Sequence, residues 1–143
     1  MMKFKLVPVG IMTAILLTLL ACSAGAPSEA SLKFSCDEFM KNKDIEEKVE
    51  IATDGTITVT LCSNATTGFE WTESASISDR VVVGQTNHEF TPPSGDVIGA
   101  AGEETWTFKA LQKGTVEVSM EYSQPWEGGL KGEWTFTLTV VVK

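Results

Sequence analysis

The sequence is short of the residues on which most chemistry depends. It has one histidine, three cysteines and 11 basic side chains against 19 acidic ones, a formal net charge of −8. One imidazole, His88, leaves no room for a Ser/His/Asp or Cys/His arrangement elsewhere. His88 lies between Asn87 and Glu89 in a strand-like stretch and reads as a strand-face histidine near a carboxylate. No GxSxG, HExxH or phosphate-binding glycine loop with lysine occurs, and no CxxC pair gives zinc spacing. Neither a metal nor a cofactor is expected, and the chain is not expected to be an enzyme. The shortage of Lys and Arg excludes a phosphate-backbone partner, which needs clustered positive charge.

The one long apolar run is at the N-terminus. Met1 to Lys5 carries Lys3 and Lys5, and Leu6 to Ala21 is uncharged but interrupted by Pro8 and Gly10. A spanning helix needs about 20 predominantly apolar residues. This run is shorter and reads as an export signal over residues 1–21. It closes on Leu19-Leu20-Ala21-Cys22, which resembles the bacterial lipoprotein signal, cut before a cysteine that then carries lipid. The alternative is an ordinary signal with a chance cysteine. Residues 22–33, rich in Ala, Ser, Gly and Pro, are expected to be a flexible tether, and residues 34–143 a single domain. The expected location is the cell envelope, with Cys22 as the lipid anchor.

Removing Cys22 leaves Cys36 and Cys62, an even number in an exported protein, where disulfides persist. A bridge between them would stabilise the fold by about 3.5 kcal/mol in the chain-entropy model. Ser35-Cys36-Asp37-Glu38 has the hydroxyl-to-carboxylate spacing of a helix start, which predicts a short helix or turn over Cys36 to Lys41. From Val49 onward the period is two. Ile57, Val59 and Leu61 alternate with threonines, as do Trp134, Phe136, Leu138, Val140 and Val142, while Val116, Val118, Met120 and Tyr122 alternate with Glu and Ser. Further strands are expected at Phe69 to Ala75, Arg80 to Phe90 and Glu103 to Leu111, separated by Gly, Pro and Asn turns. The fold class is all-β, an immunoglobulin-like antiparallel β-sandwich of about seven or eight strands, with an up-and-down barrel as the alternative.

Three connections are richer than connections require. Asn64-Ala65-Thr66-Thr67-Gly68-Phe69 is a tight polar loop, Pro92 to Gly102 contains Gly99-Ala100-Ala101-Gly102, and Gln124-Pro125-Trp126 is followed by two glycines after Glu127. Trp126 is poorly placed for a core and suits a hot-spot anchor; the competing reading folds it back over its own sheet edge. Counting Val49 to Ala52 as the first strand, the loops follow strands two, four and six, which gather at one end of a Greek-key sandwich.

These three segments resemble the motifs of the chagasin family of cysteine-peptidase inhibitors: NPTTG plus an aromatic, a GxGG-type loop, and R/QPW. The resemblance runs from about Val49 to the C-terminus and implies reversible inhibition of papain-like (clan CA) proteases; the domain is expected to be a monomer. It implies contact with the protease through Asn64, Thr66, Thr67, Gly68 and Phe69, through Gly99, Ala100, Ala101 and Gly102, and through Gln124, Pro125 and Trp126. Two positions depart from the pattern. Ala65 replaces the usual proline and is expected to loosen the first loop. Ala101 stands where the family often has glycine and would clash at a position of positive φ. Asn64-Ala65-Thr66 also matches the N-glycosylation pattern, against which the bacterial-type signal argues. The competing classes are a carbohydrate-binding sandwich using Trp126 and Trp71, and a purely structural surface lipoprotein.

Overall fold

The computed structural model describes residues 25–95 and 97–143, so the expected signal segment and Cys22 lie outside the described residues. Among the described residues nine strands and one α-helix follow in order: β1 (Glu29–Phe34), α1 (Cys36–Lys41), β2 (Asp44–Ile51), β3 (Thr56–Ser63), β4 (Glu70–Trp71), β5 (Ser76–Ile77), β6 (Val83–Thr91), β7 (Gly102–Ala110), β8 (Gly114–Ser123) and β9 (Trp134–Val142). One sheet has the order β1-β3-β7-β6. The other runs β2-β9-β8-β4, with β5 also paired to β8.

The alternating pattern fixes which face is inside. Ile57, Val59 and Leu61 of β3, Trp106 and Phe108 of β7, Val116, Val118 and Met120 of β8, and Phe136, Leu138 and Val140 of β9 are buried in one core between the sheets. The threonines alternating with them on β3 and β9 are only partly covered and face outward. This is the expected β-sandwich, with one difference in its edges. β1 lies parallel to β3 and β2 lies parallel to β9, so each sheet is mixed where antiparallel pairing was expected throughout. Parallel pairing is available because α1 carries the chain across from one sheet to the other between β1 and β2.

Two further differences concern the ends of elements. The expected tether overlaps β1: Ala30, Leu32 and Phe34 pack against the core, and pairing with β3 begins at Glu29. Of the single strand expected at Phe69 to Ala75 only Glu70–Trp71 forms as β4, and β5 (Ser76–Ile77) begins just past its expected end. Between them the backbone finds side-chain partners in place of a ladder: the Glu73 carbonyl accepts from Trp106 Nε1 at 3.1 Å and Gln85 Nε2 at 3.0 Å, and the Ala75 amide donates to Gln85 Oε1 at 2.8 Å.

The helix over Cys36–Lys41 forms as the sequence indicates. The Glu38 carboxylate turns back to accept from the Ser35 amide and hydroxyl, both at 2.7 Å. Phe39 is fully buried, stacking on Trp134 at 5.1 Å and tilted against Trp71 at 5.2 Å. Cys36 is bonded to Cys62 of β3, with Cα atoms 5.2 Å apart.

Candidate functional site

Strand register brings three loops to one end of the sandwich. Ser63 pairs with Gly102, Thr91 with the adjacent Glu103, Glu70 with Ser123, and Tyr122 with Trp134. Loop L1 (64–69), loop L2 (92–101) and loop L3 (124–133) therefore leave and re-enter the sheets at the same level. They follow β3, β6 and β8 where the sequence count gave strands two, four and six, because β1 precedes them and the strand after L1 is split.

L1 is a single 3₁₀ turn over Ala65–Thr67, closed by Gly68 in the left-handed region at φ 77°. Its rigidity comes from its own side chains. Asn64 Oδ1 accepts from the Thr66 hydroxyl at 2.7 Å and the Thr66 amide at 3.2 Å, and the Thr67 hydroxyl donates to the Asn64 carbonyl at 2.7 Å. These bonds fix the turn without a proline at position 65, so the expected loosening is offset locally. Below, Tyr122 pins the start of the loop. Its hydroxyl accepts from the Asn64 amide at 3.0 Å and donates to the Asn64 carbonyl at 3.3 Å.

The loops are braced to each other. Asn64 Nδ2 donates to the Gly99 carbonyl at 3.1 Å, tying L1 to L2. Gly68 lies under Trp126, tying L1 to L3. Trp126 is 50% exposed, so it neither joins the core nor lies free. L3 is itself a hairpin bracketed by Gln124, whose amide donates to the Leu130 carbonyl at 2.8 Å and whose Oε1 accepts from the Leu130 amide at 2.9 Å. Lys131 Nζ also donates to the Gln124 carbonyl.

The expected contact residues fall into two sets. Thr66, Thr67, Gly99, Ala101, Pro125 and Trp126 are exposed at the rim, with Asn64, Gly68 and Ala100 half-buried beside them. Phe69, Gln124 and Gly102 have inward duties. Phe69 stacks on Tyr122 at 5.5 Å, and Gln124 holds the hairpin. Gly102 is buried in β7, where a Cβ would stand 2.4 Å from the Thr91 carbonyl oxygen, so it is a sheet residue and not a surface contact. Ala101 is not among the described positions of positive φ, whereas Gly99 is, at 80°, so the alanine meets no clash of the expected kind.

A groove opens on each flank of L1. One, of 570 Å³, runs past Gly68, Trp126 and Phe90 to a floor at His88 and Glu104; the other, of 550 Å³, runs past Thr67 and Gly99. His88 takes the bland position its sequence context suggests. Its Nε2 lies 2.8 Å from Glu104 Oε2, its ring lies on Trp106 at 4.8 Å, and Glu104, only 6% exposed, also accepts from the Ser63 hydroxyl at 2.6 Å. Glu104 stands between Ser63 and His88, so the imidazole does not reach the hydroxyl and the order is not that of a Ser/His/acid triad. Among the described residues no group of three or more His, Cys, Asp or Glu is placed to hold a metal ion.

The structural roles of Tyr122 and Gln124 were missed in the sequence. The available signal was the hydroxyl of the chain's one tyrosine, set at the end of a buried strand where it needs a partner.

Comparison with known proteins gives a consistent result. Residues 50–140 match the model of the family described as chagasin family peptidase inhibitor I42. Chagasin of Trypanosoma cruzi is 29% identical over 84 residues, covering 57% of this chain and 76% of chagasin. Amoebiasin-2 of Entamoeba histolytica is 24% identical over 115 residues, covering 77% of this chain and 89% of the relative. Among solved structures, the cysteine protease inhibitor EhICP2 from Entamoeba histolytica superposes with a TM-score of 0.61 at 21% identity, over 82% of this chain and all (100%) of that one. PbICP-C, solved in complex with falcipain-2, gives a TM-score of 0.61 at 16% identity, over 80% and 99% of the two chains. At those identities the superpositions show the shared fold.

Proposed function

The chain belongs to the chagasin family of peptidase inhibitors, and on that premise we propose that it is a reversible inhibitor of papain-like proteases that plugs the active-site cleft with L1 and grips the cleft walls with L2 and L3. It is a cysteine-peptidase inhibitor and not an enzyme, as its family and relatives are. The observation that carries the mode of action is the bracing of three loops at one end, Asn64 to Gly99 and Gly68 to Trp126.

The mechanism follows from L1 being curled. A peptide is cleaved when its carbonyl lies extended beside the attacking thiolate in near-attack geometry. L1 offers a 3₁₀ turn in its place, with Thr66 and Thr67 at the tip and their backbone already bonded to Asn64. It fills the cleft over the Cys/His pair without presenting a scissile bond. Because the turn is fixed before binding, little conformational entropy is lost on association. Gly99 and Ala100 approach one wall through backbone, and Trp126 covers an apolar surface on the other.

We further propose that the domain is a monomer in the cell envelope, lipid-anchored through Cys22 after removal of residues 1–21. The Leu19-Leu20-Ala21-Cys22 pattern and the disulfide support this reading. The Pro27 and Ser28 carbonyls already accept from the Ala52 and Thr56 amides, so on this reading the spacer between anchor and domain is residues 23–26.

The test is inhibition of papain or a cathepsin-type enzyme by the purified protein lacking residues 1–22. Inhibition at micromolar protein that Thr67→Arg abolishes is expected. Its absence overturns the reading. Labelling by a palmitate analogue that Cys22→Ser eliminates tests the anchor.

A further inference from the structure

Met40 and Leu130 are 66% and 62% exposed, yet neither is on a loose segment. Met40 follows Phe39, which is buried among Trp134 and Trp71, on a helix bonded through Cys36 to β3. Leu130 is held at its carbonyl, which accepts from the Gln124 backbone amide, and at its own amide, which donates to the Gln124 side-chain Oε1. Single exposed apolar residues are ordinary. These two line one groove together with Thr67, Gly99 and the Tyr122 and Trp134 rings. Among the described residues the one charged side chain lining it, Glu133, is paired with Lys43 at 2.5 Å. The groove therefore suits an apolar group and repels none by charge.

Its position names the occupant. Thr67 and Gly99 belong to L1 and L2 as well as to this groove, so the surface is continuous with the inhibitory rim. A cleft that admits the L1 tip has two walls. One meets the groove beside Trp126 and Phe90, and the other is brought onto Met40 and Leu130. We infer that the Met40–Leu130 groove is a fourth contact with the target peptidase, seating an apolar side chain from the rim of its cleft. This rests on the inhibitor reading above. It assigns a binding role to α1, which lies outside the family-matched residues 50–140. The segment that adds the helix thereby widens the interface past the three loops.

The experiment compares the full chain in detergent with its Met40→Glu/Leu130→Glu variant against one papain-like enzyme. Both side chains are exposed, so folding is checked by an unchanged melting temperature, and Met40→Leu serves as the conservative control. A rise in Ki of about tenfold or more, carried mainly by faster dissociation and absent in Met40→Leu, is expected. An unchanged Ki in the double variant, while the wild type inhibits, overturns this inference alone. No inhibition by the wild type overturns it together with the parent reading. Two other results also overturn it: a concentration-dependent dimer that the double variant loses, with Ki unchanged, and sedimentation with phosphatidylglycerol vesicles of a protein lacking residues 1–22 that the same variant loses, with Ki unchanged.

Discussion

Trp126 lies across Gly68, with its Cη2 atom 2.8 Å from the place where a Cβ on Gly68 would stand. The glycine is required twice there, once by its φ of 77° and once by the indole above it. L1 and L3 are thus not independent fingers. The orientation of the tryptophan is set by the bareness of the backbone beneath it, and the whole rim behaves as one preformed surface.

Gly68→Ala tests that coupling. The added methyl must displace the indole or unwind the turn, so Ki is expected to rise about tenfold or more, which at about 1.4 kcal/mol per decade is above the ~1 kcal/mol that most interface residues cost on truncation. Trp126→Ala is expected to raise it at least as much. Measured in a double-mutant cycle, Gly68→Ala should cost little further in the Trp126→Ala background. Full additivity of the two would show that the residues act separately.

Asn64 has two duties that substitutions can separate. Its Oδ1 closes the turn on Thr66, and its Nδ2 reaches the Gly99 carbonyl. Asn64→Asp keeps the first and loses the second, leaving two oxygens facing each other; Asn64→Ala loses both. Asp is expected to weaken inhibition through slower or poorer engagement of L2 while L1 stays ordered. Ala should weaken it more and raise amide exchange at Thr66 and Thr67. Equal exchange in the two variants would remove the assigned role of Oδ1.

The strands with strict alternation, β3, β8 and β9, were legible because each has one face in the core and one in water. β1 carries the same signal in Ala30, Leu32 and Phe34, but small residues upstream favoured a tether reading, and an edge strand half-buried on one side gives a weak pattern. Parallel edges cannot be read from alternation, which reports facing but not direction. The rim loops were legible through their glycine, threonine and tryptophan content. Their bracing was not, since the bonds from Asn64 to Gly99 and from Tyr122 to Asn64 join residues distant in sequence. For the same reason Gly102 read as a surface glycine, when the backbone of β6 passing beside it is what requires it.

The Cys36–Cys62 bond ties α1 to β3 two residues before Asn64. Replacing both cysteines by serine is expected to lower stability by about 2–4 kcal/mol, seen as a fall in melting temperature on the order of 10 °C. The loss should fall on α1 and the groove beside it more than on the distant end of the sandwich. Hydrogen exchange would show faster opening at Phe39 and Met40 with little change at Val116 and Val140. Uniform acceleration across the domain would mean that the bond acts only through the unfolded chain.

Glu38 makes helix α1 sensitive to acid. Its carboxylate accepts from the Ser35 amide and hydroxyl, and these bonds, with Lys41 nearby, hold its carboxyl below the usual carboxylate range. A group whose pKa is lower in the folded than in the unfolded state contributes stability above its unfolded pKa and loses it as pH falls through the folded value. The contribution is therefore full at neutral pH and disappears on the acid side of the carboxylate range. The carboxylate is solvent-exposed, so salt and water screen the effect and it stays small. Glu38→Gln is expected to melt slightly below wild type at pH 7 and to converge with it as the pH is lowered through and below the carboxylate range. Phe39 and the disulfide keep the helix docked in both proteins, so the difference should appear as earlier fraying at Ser35 and Cys36 and not as loss of the fold. A gap between the two melting temperatures that widens toward acid would show that Glu38 is not held by Ser35 in solution.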